Sequence, residues 1–178
     1  EIDGEVALKI FPAHLFGDDA AKQVFARQIK KMRRFSQQNI VRIYDEGEYL
    51  GRPFYTMQLL EGISLQKLIN LRRSRESLFG LQEIEPILSQ ISSALQHAHR
   101  SGAHGCLKPE DILVLPEMIK IVDFGVAGTF DPDKLVAELE EAGTLAYLSP
   151  EQRAGQPGDA RSDIYSLGAI LCEMLAGV

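Results

Sequence analysis

The sequence predicts an α+β fold in two parts, with strands in the first third of the chain and mainly helices after it. Short apolar runs separated by turn residues fill the region before Gly62, whereas apolar residues recur at helical spacing in the longer segments that follow. Runs of strands followed by runs of helices are typical of α+β domains. The 178 residues, 45% of them hydrophobic, suffice for one buried core.

The first part, before a boundary that we place between residues 61 and 62, contains three predicted strands and one helix. Pro12 ends the first strand, because proline has no backbone N–H to donate to a sheet. Apolar residues at helical spacing define one face of the helix, and Asp18 or Asp19 suits its N-cap. The elements are a strand at 5–11, a helix at 18–35, and strands at 40–44 and 53–60, with turn residues at 45–48 and 51.

The second part, residues 62–178, is dominated by predicted helices. Within 81–100 the apolar residues Ile84, Leu88 and Ile91 keep helical spacing, and Gly102 follows as a stop signal. The final helix is strongly apolar. The predicted elements are helices at 65–73, 81–100 and 163–176, strands at 112–115 and 118–122, and a loop over 123–158.

Composition and charge exclude several classes of function. The formal net charge of −6 argues against nucleic acid as a partner, because nucleic-acid binders usually carry a basic face. The two cysteines form neither a disulfide framework nor a zinc site, which favours a reducing, cytoplasmic setting. The most apolar run is too short to cross a bilayer, so we expect no membrane contact within this chain. If an anchor lies outside it, the chain is the cytosolic domain of a membrane-anchored protein.

Five short motifs carry the candidate chemistry, and each taken alone has an ordinary structural explanation. A strand lysine can simply be exposed, an aspartate before glycine can simply make a turn, and an aspartate before an apolar helix can simply cap it. The motifs are Val-Ala-Leu-Lys at 6–9, His-Gly-Cys-Leu-Lys-Pro-Glu-Asp at 104–111, Asp-Phe-Gly at 123–125, Gly-Thr-Leu-Ala-Tyr-Leu-Ser-Pro-Glu at 143–151, and Ser-Asp-Ile-Tyr-Ser-Leu-Gly at 162–168.

In their order and spacing, these motifs resemble those of protein kinases of the bacterial, eukaryotic-like serine/threonine type. The residues at two of these positions, Lys108 and Thr144, resemble those of serine/threonine kinases rather than those of tyrosine kinases. The resemblance covers nearly the whole chain. It implies a two-lobed kinase-like fold, with a β-rich N-lobe and hinge at 1–61 and a mainly helical C-lobe at 62–178. We expect both lobes to be partial, because the family's glycine-rich loop would precede residue 1 and more helices would follow residue 178.

The resemblance also implies ATP and Mg²⁺ as cofactors and assigns residues to them. Lys9 would reach the phosphates, and Asp123 in the metal loop (residues 123–125) and Asp111 in the catalytic loop (residues 104–111) would hold the metal. The adenine would lie against the hinge backbone. The residues implied for its pocket are Ala7, Met57 as gatekeeper, Gln58, Leu60 and Leu113. The protein substrate or signalling partner is not specified by the sequence.

Other matched positions have structural roles in the family. Asp163 would hold backbone amides of the catalytic loop, His104 would pack near Phe124, and Gly125 would let the metal loop bend. Thr144 and Glu151 end the segment that follows the metal loop. The arginine that pairs with this glutamate in the family would lie beyond residue 178, so Glu151 is expected to lack a partner here.

Two departures from the family pattern concern charged catalytic positions. Cys106 replaces the aspartate that orients the substrate hydroxyl, and a thiol with a pKa of about 8.5 is a neutral, poor acceptor at pH 7. A second interpretation is a reactive thiol, activated by His104 and Lys108. Gln28 replaces the glutamate that pairs with Lys9; it can hydrogen-bond Lys9 but brings no charge, so we expect Lys9 to be held more weakly. Asp111 replaces asparagine, a milder change, because carboxylate oxygen also suits magnesium.

Three functions are compatible with these features. The first is a pseudokinase, which keeps the fold and acts in phosphorylation signalling by conformation or by partner binding. The second is a slow serine/threonine kinase, because phosphoryl transfer depends mainly on positioning and charge neutralisation. The third is an interaction module that uses no nucleotide. Phosphate transfer separates the first two, and nucleotide binding separates both from the third.

Overall fold

The computed structural model describes residues 4–177, which form two three-stranded antiparallel sheets and six α-helices. The predicted α+β class is confirmed, and the boundary at 61/62 stays a prediction. In chain order the elements are β1 (Val6–Ile10), α1 (Asp19–Met32), β2 (Ile43–Tyr49), β3 (Arg52–Gln58), β4 (Ile63–Ser64), α2 (Leu65–Arg73), α3 (Leu81–Ala98), β5 (Ile112–Val114), β6 (Ile119–Ile121), α4 (Pro132–Glu141), α5 (Pro150–Arg153) and α6 (Ala160–Ala176).

The first sheet has the strand order β1-β3-β2 and packs against α1. Its register places Lys9 of β1 directly opposite Tyr55 of β3, so their side chains leave the same face of the sheet. Helix α1 begins where the sequence predicts, because the Asp18 carboxylate accepts the N–H of Ala21 at 2.8 Å. The buried face of α1 then meets the face of the sheet that carries Lys9.

The strand predicted at 40–44 has the wrong bounds. Residues before 43 instead join the second sheet, where the Val41 N–H donates to the Ile121 carbonyl at 2.9 Å. Strand β2 starts at Ile43 and continues through the segment predicted as a turn. Gly47 lies under the ring of Phe54, where a Cβ would come within 2.6 Å of the ring, so this glycine serves cross-strand packing rather than a turn.

The turn between β2 and β3 lies at Leu50 and Gly51, which both have positive φ, of 49° and 75°. Two such residues make the tight hairpin turn whose twist suits antiparallel strands. The turn predicted at Gly51 is therefore confirmed, and the one at 45–48 is wrong.

The second part contains the sheet β4-β5-β6, with α2, α3 and α6 forming most of the remaining core. The predicted helices at 65–73, 81–100 and 163–176 are present with ends that shift by at most three residues. The side chains that fill this core include Leu65, Ile69, Ile91, Leu95, Leu107, Ile112, Ile121, Ile170 and Met174. Between residues 4 and 177, no helix is both long and apolar enough to cross a membrane.

The loop predicted over 123–158 is wrong, because it contains α4 and α5. The Asp131 carboxylate accepts the N–H of Lys134 at 3.2 Å and caps α4, and Pro132 occupies its first turn. Leu139 is buried on the inner face of α4. Helix α5 starts in the same way, with Ser149 before Pro150. Both helices thus carry ordinary start signals in the sequence.

Candidate active site

A cavity of about 320 Å³ brings seven of the predicted site residues together. It lies between β1, the catalytic loop, the metal loop and α4. The predicted residues that line it are Lys9, His104, Cys106, Lys108, Asp111, Asp123 and Thr144. Motifs that are far apart in the sequence therefore meet at one place in the fold.

Asp123 is held from the first sheet by two donors. Lys9 donates to Oδ2 of Asp123, and the hydroxyl of Tyr55 donates to Oδ1. The backbone of Asp123 has φ of 66°, a conformation that side-chain-bearing residues rarely adopt. Burial alone would raise the pKa of Asp123, but the attraction of Lys9 and the hydrogen bonds outweigh it and lower the pKa. The carboxylate is therefore charged and fixed at neutral pH.

Asp111 forms a second buried ion pair with Lys108. The Lys108 Nζ donates to both carboxylate oxygens of Asp111, each at 3.1 Å. Burial lowers the pKa of Lys108, but the charge of Asp111 outweighs burial and raises it. Burial raises the pKa of Asp111, although Lys108 opposes the shift. The cavity thus contains two lysines and two aspartates, paired one to one.

Cys106 is not an activated thiol. Burial raises the pKa of its side chain to about 12, and the nearby carboxylates oppose the effect of Lys108. The thiol is therefore neutral at physiological pH. This environment argues against the interpretation of Cys106 as a reactive nucleophile and agrees with that of a neutral replacement.

The catalytic loop is anchored to helix α6 by Asp163, which is fully buried. Its carboxylate accepts the backbone N–H of His104 at 2.7 Å and that of Gly105 at 2.8 Å. The ring of His99 donates to the same carboxylate at 2.8 Å. This arrangement agrees with the role that the resemblance implies for Asp163.

The metal loop is packed against the catalytic loop. The ring of His104 meets that of Phe124 edge-on at 4.9 Å between centroids, and its Nε2 donates to the Val122 carbonyl at 2.8 Å. The N–H of Gly125 donates to the His104 carbonyl at 2.9 Å. His104 therefore packs against Phe124, and its assignment to a structural role stays a prediction.

Gln28 binds the metal loop. Its side-chain amide donates to the Phe124 carbonyl at 3.0 Å rather than contacting Lys9. A Cβ at Gly125 would lie 2.3 Å from the Gln28 nitrogen, and φ of Gly125 is 66°. The backbone conformation therefore favours glycine at this position, and a larger residue would also displace the Gln28 amide.

The two residues near the end of the segment after the metal loop also have partners. The hydroxyl of Ser162 donates to Glu151 at 2.7 Å, while the absence of the family's arginine partner stays a prediction. This hydrogen bond lowers the pKa of Glu151. The N–H of Thr144 donates to the Leu139 carbonyl at 2.8 Å, which ties this buried threonine to the end of α4.

The residues implied for an adenine pocket lie elsewhere. Ala7 and Met57 are cross-strand partners in the first sheet, and Gln58 follows them. Leu113 lies on β5, and it packs against the core together with Leu60. None of these five is among the described residues that line the cavity of about 320 Å³. Their shared role in holding adenine stays a prediction.

Helix α4 closes the cavity, a feature that the sequence analysis missed. Leu135 and Leu139, on the inner face of the helix, line the cavity. The start of α4 is tied to the segment after β1, since the Asp131 N–H donates to the Leu15 carbonyl at 2.9 Å. Phe130 packs edge-on against Phe16 at 5.3 Å between centroids. The spacing of the two leucines after Asp131 is the signal that identifies this helix.

The acidic residues of the cavity fit a magnesium site of the kind that substrate phosphates complete. Within residues 4–177, no cluster of three His, Cys, Asp or Glu side chains is arranged to hold a metal. Asp111 and Asp123 provide two carboxylates, and Mg²⁺ typically takes one or two carboxylates with phosphate oxygens and water. The donor set is therefore suited to magnesium that arrives with a nucleotide.

Comparison with known proteins places these features in one family. A family model described as "Protein kinase domain" matches residues 1–178. The chain is 34% identical over 177 residues to the probable serine/threonine-protein kinase PknB of Lactococcus lactis, aligning 98% of this chain and 28% of that protein. It is 33% identical to the serine/threonine-protein kinase PknL of Mycobacterium bovis, aligning 99% of this chain and 44% of that protein.

The fold agrees with this comparison. The crystal structure of the Mycobacterium tuberculosis PknI kinase domain superposes with a TM-score of 0.80 and 25% sequence identity. The superposition covers 99% of this chain and 64% of that one. The two-lobed architecture, with a β-sheet N-lobe and a helical C-lobe, is therefore confirmed. The chain spans less than half the length of the two curated relatives.

Proposed function

The chain belongs to the protein kinase domain family, and on that premise we propose that it is a serine/threonine-type pseudokinase that binds Mg-ATP but transfers phosphate poorly. The single observation that carries the proposal is the state of Cys106. In the family, a carboxylate at this position orients the substrate hydroxyl and accepts its proton. Here a half-buried thiol, whose pKa is raised to about 12 by desolvation, provides neither a charge nor a strong acceptor.

The loss of this acceptor has a measurable cost. A well-placed general base contributes about 10²- to 10⁴-fold to a reaction rate. Lys108, which lies two residues after Cys106, donates hydrogen bonds to both carboxylate oxygens of Asp111. These bonds do not replace the acceptor that the family has at position 106. We therefore expect transfer to fall by at least the contribution of the base.

Retention of nucleotide is supported by the remaining charges. Lys9 is 35% exposed and sits on a flexible stem, so it can turn from Asp123 to a phosphate. Asp123 and Asp111 would then hold Mg²⁺ through the oxygens that the lysines release. The metal would neutralise phosphate charge, which is its ordinary part in this family.

The proposed output is conformational. Helix α4 covers the cavity and is tied to the first lobe through Phe16 and Leu15. A nucleotide that enters the cavity would contact the side chains of Leu135 and Leu139, which line it. Binding would thus shift the population in which α4 is docked, and a signalling partner can recognise either state.

A slow but active kinase is the second candidate, and a specific observation favours it. Lys9, Lys108, Asp111 and Asp123 all reach one cavity, as phosphoryl transfer requires. Because transfer depends mainly on positioning and electrostatics, these four can sustain a residual rate without the base.

The test measures phosphate transfer from Mg-ATP by the full-length parent protein and by its Cys106→Asp variant. The proposal predicts a silent parent and a variant that gains activity. Cys172→Asp, at an exposed position on α6, is the matched control and should gain none. Parent activity at an ordinary kinase rate would refute the pseudokinase, and slow activity lost in Asp123→Asn would establish the second candidate.

Because an aspartate at position 106 would lie near Lys108 and Asp111, the variant adds a third aspartate to the cavity. The double variant Cys106→Asp/Asp111→Asn restores the family pair and is expected to be more active than the single one. A thermal shift of the parent with Mg-ATP, abolished in Lys9→Ala, is the expected evidence for binding. Its absence would favour the nucleotide-independent interaction module.

A further inference from the structure

Tyr55 is a buried residue of the first sheet that the sequence analysis does not single out. Its side chain has no exposed surface, and its place on β3 opposite Lys9 directs it toward the metal loop. Within the described chain, its hydroxyl has one hydrogen-bond partner, which is Oδ1 of Asp123. The phenol is the O–H donor and the carboxylate oxygen the acceptor, so the bond runs from Tyr55 to Asp123.

We infer that Tyr55 is a positioning residue for Asp123, whose hydroxyl holds one carboxylate oxygen so that only the other oxygen faces a cation. The inference rests on the proposed function, since the cation in question is the Mg²⁺ of Mg-ATP. It adds to that function a residue outside the five motifs.

The two oxygens of Asp123 have donors of different kinds. Oδ2 is paired with Lys9, a partly exposed ammonium on a long stem that can leave for a phosphate. Oδ1 is paired with a phenol that is fixed in the core, where the Tyr55 ring lies 5.8 Å from that of Phe11. A buried hydroxyl that gave up its only partner would remain unpaired, so this bond persists when Lys9 departs. Asp123 therefore offers one oxygen to one metal ion.

The hydroxyl has a specific reason to be present, because ring packing alone requires only phenylalanine. In the family, a charged carboxylate on the helix equivalent to α1 organises the lysine of β1. Here Gln28 lacks that charge and donates to the Phe124 carbonyl instead. Tyr55 supplies an alternative constraint, from β3 and on the aspartate rather than on the lysine.

The test uses Tyr55→Phe in the full-length protein, which removes the hydroxyl and keeps the ring. Calorimetry measures ATP binding in Mg²⁺ and in EDTA. We expect the affinity for Mg-ATP to fall by about 10- to 100-fold, the value of one hydrogen bond to a charged group, and the affinity for metal-free ATP to stay unchanged. Tyr49→Phe removes a hydroxyl from a tyrosine of the same sheet that is 66% exposed, and should change neither affinity.

Two results would overturn the inference. Unchanged Mg-ATP affinity in Tyr55→Phe would show that the hydroxyl positions nothing, and an equal loss with and without Mg²⁺ would show a general packing defect. The split between the two affinities is a readout that a merely structural role would not produce.

A second measurement keeps the inference separate from the proposed function. If the parent protein binds no Mg-ATP, NMR of tyrosine-labelled protein still detects the bond as a slowly exchanging Tyr55 hydroxyl proton. This resonance should be absent in Tyr55→Phe and exchange rapidly in Asp123→Ala. A parent without a protected hydroxyl proton, or an Asp123→Ala variant that keeps it, would refute the positioning role whatever the nucleotide result.

Discussion

Replacing Asp163 by alanine is expected to cause a large loss of stability, because this residue joins α6 to the catalytic loop. The side chain is completely buried and accepts three hydrogen bonds, two from backbone amides and one from His99. Alanine would leave the amides of His104 and Gly105 buried without an acceptor. Unpaired buried donors cost free energy that the smaller side chain cannot recover.

The magnitude follows from these contacts. A hydrogen bond to a charged group contributes about 1.5–3 kcal/mol, but the three do not add fully, because His99 is part-exposed and can bond to water. We therefore expect Asp163→Ala to lower the free energy of unfolding by about 3–5 kcal/mol, the range for breaking a buried charged interaction. Asp163→Asn keeps one acceptor oxygen and should cost about 1.5–3 kcal/mol.

Urea denaturation followed by circular dichroism measures both losses. If the unfolding free energy of each variant depends on urea concentration with the same slope as that of the parent, the folded and unfolded states are comparable. Asp159→Asn is the matched control, since Asp159 caps the same helix at an exposed position where asparagine caps equally well. It should change stability by less than about 0.5 kcal/mol. An Asp163→Ala variant within about 1 kcal/mol of the parent would refute the anchoring role of this carboxylate.

Three further predictions test other parts of the fold. Gly47→Ala places a Cβ 2.6 Å from the end of the Phe54 ring and should cost about 1 kcal/mol in thermal unfolding, whereas Gly128→Ala, with no atom within 4 Å, should cost nothing. The N-cap backbone N–H of α3 lowers the pKa of Glu83 in the folded protein. The contribution of the Glu83 carboxylate to stability is therefore complete above about pH 4.5 and is lost as pH falls through the folded pKa. The difference in melting temperature between the parent and Glu83→Gln should accordingly shrink between about pH 7 and about pH 3, and a constant difference would contradict this. Asp131→Ala removes the cap of α4 at a cost of about 1 kcal/mol, which should speed hydrogen exchange of the α4 amides about fivefold and leave α3 unchanged.

Local signals explain how much of the fold the sequence predicts. Helices α1 and α3 have apolar residues at helical spacing, and α1 has the capping aspartate at position 18. These interactions lie within a few residues of one another, so a linear pattern contains them. The motif residues of the cavity were also predictable as a group, because the order of Lys9, Asp111 and Asp123 along the chain indicates one constellation.

The features that the sequence does not reveal depend on distant contacts. Nothing near Tyr55 indicates a bond to a residue 68 positions later. Strand β2 runs through a predicted turn because Gly47 is covered by Phe54, a partner on another strand. Helix α4 is a different case, since Asp131 and the leucines after it are a local start signal, and the expectation of a loop gives that signal too little weight.

The two substitutions in the catalytic loop are best understood together. The family pattern has one carboxylate and one amide at these positions, and here a thiol and a carboxylate take their places at Cys106 and Asp111. These two positions therefore keep one negative charge between them, now at Asp111, and Lys108 pairs with it. Charge that can serve a metal and phosphates is retained, while charge at the acceptor position is lost. This is the distribution of charge that the proposed pseudokinase requires.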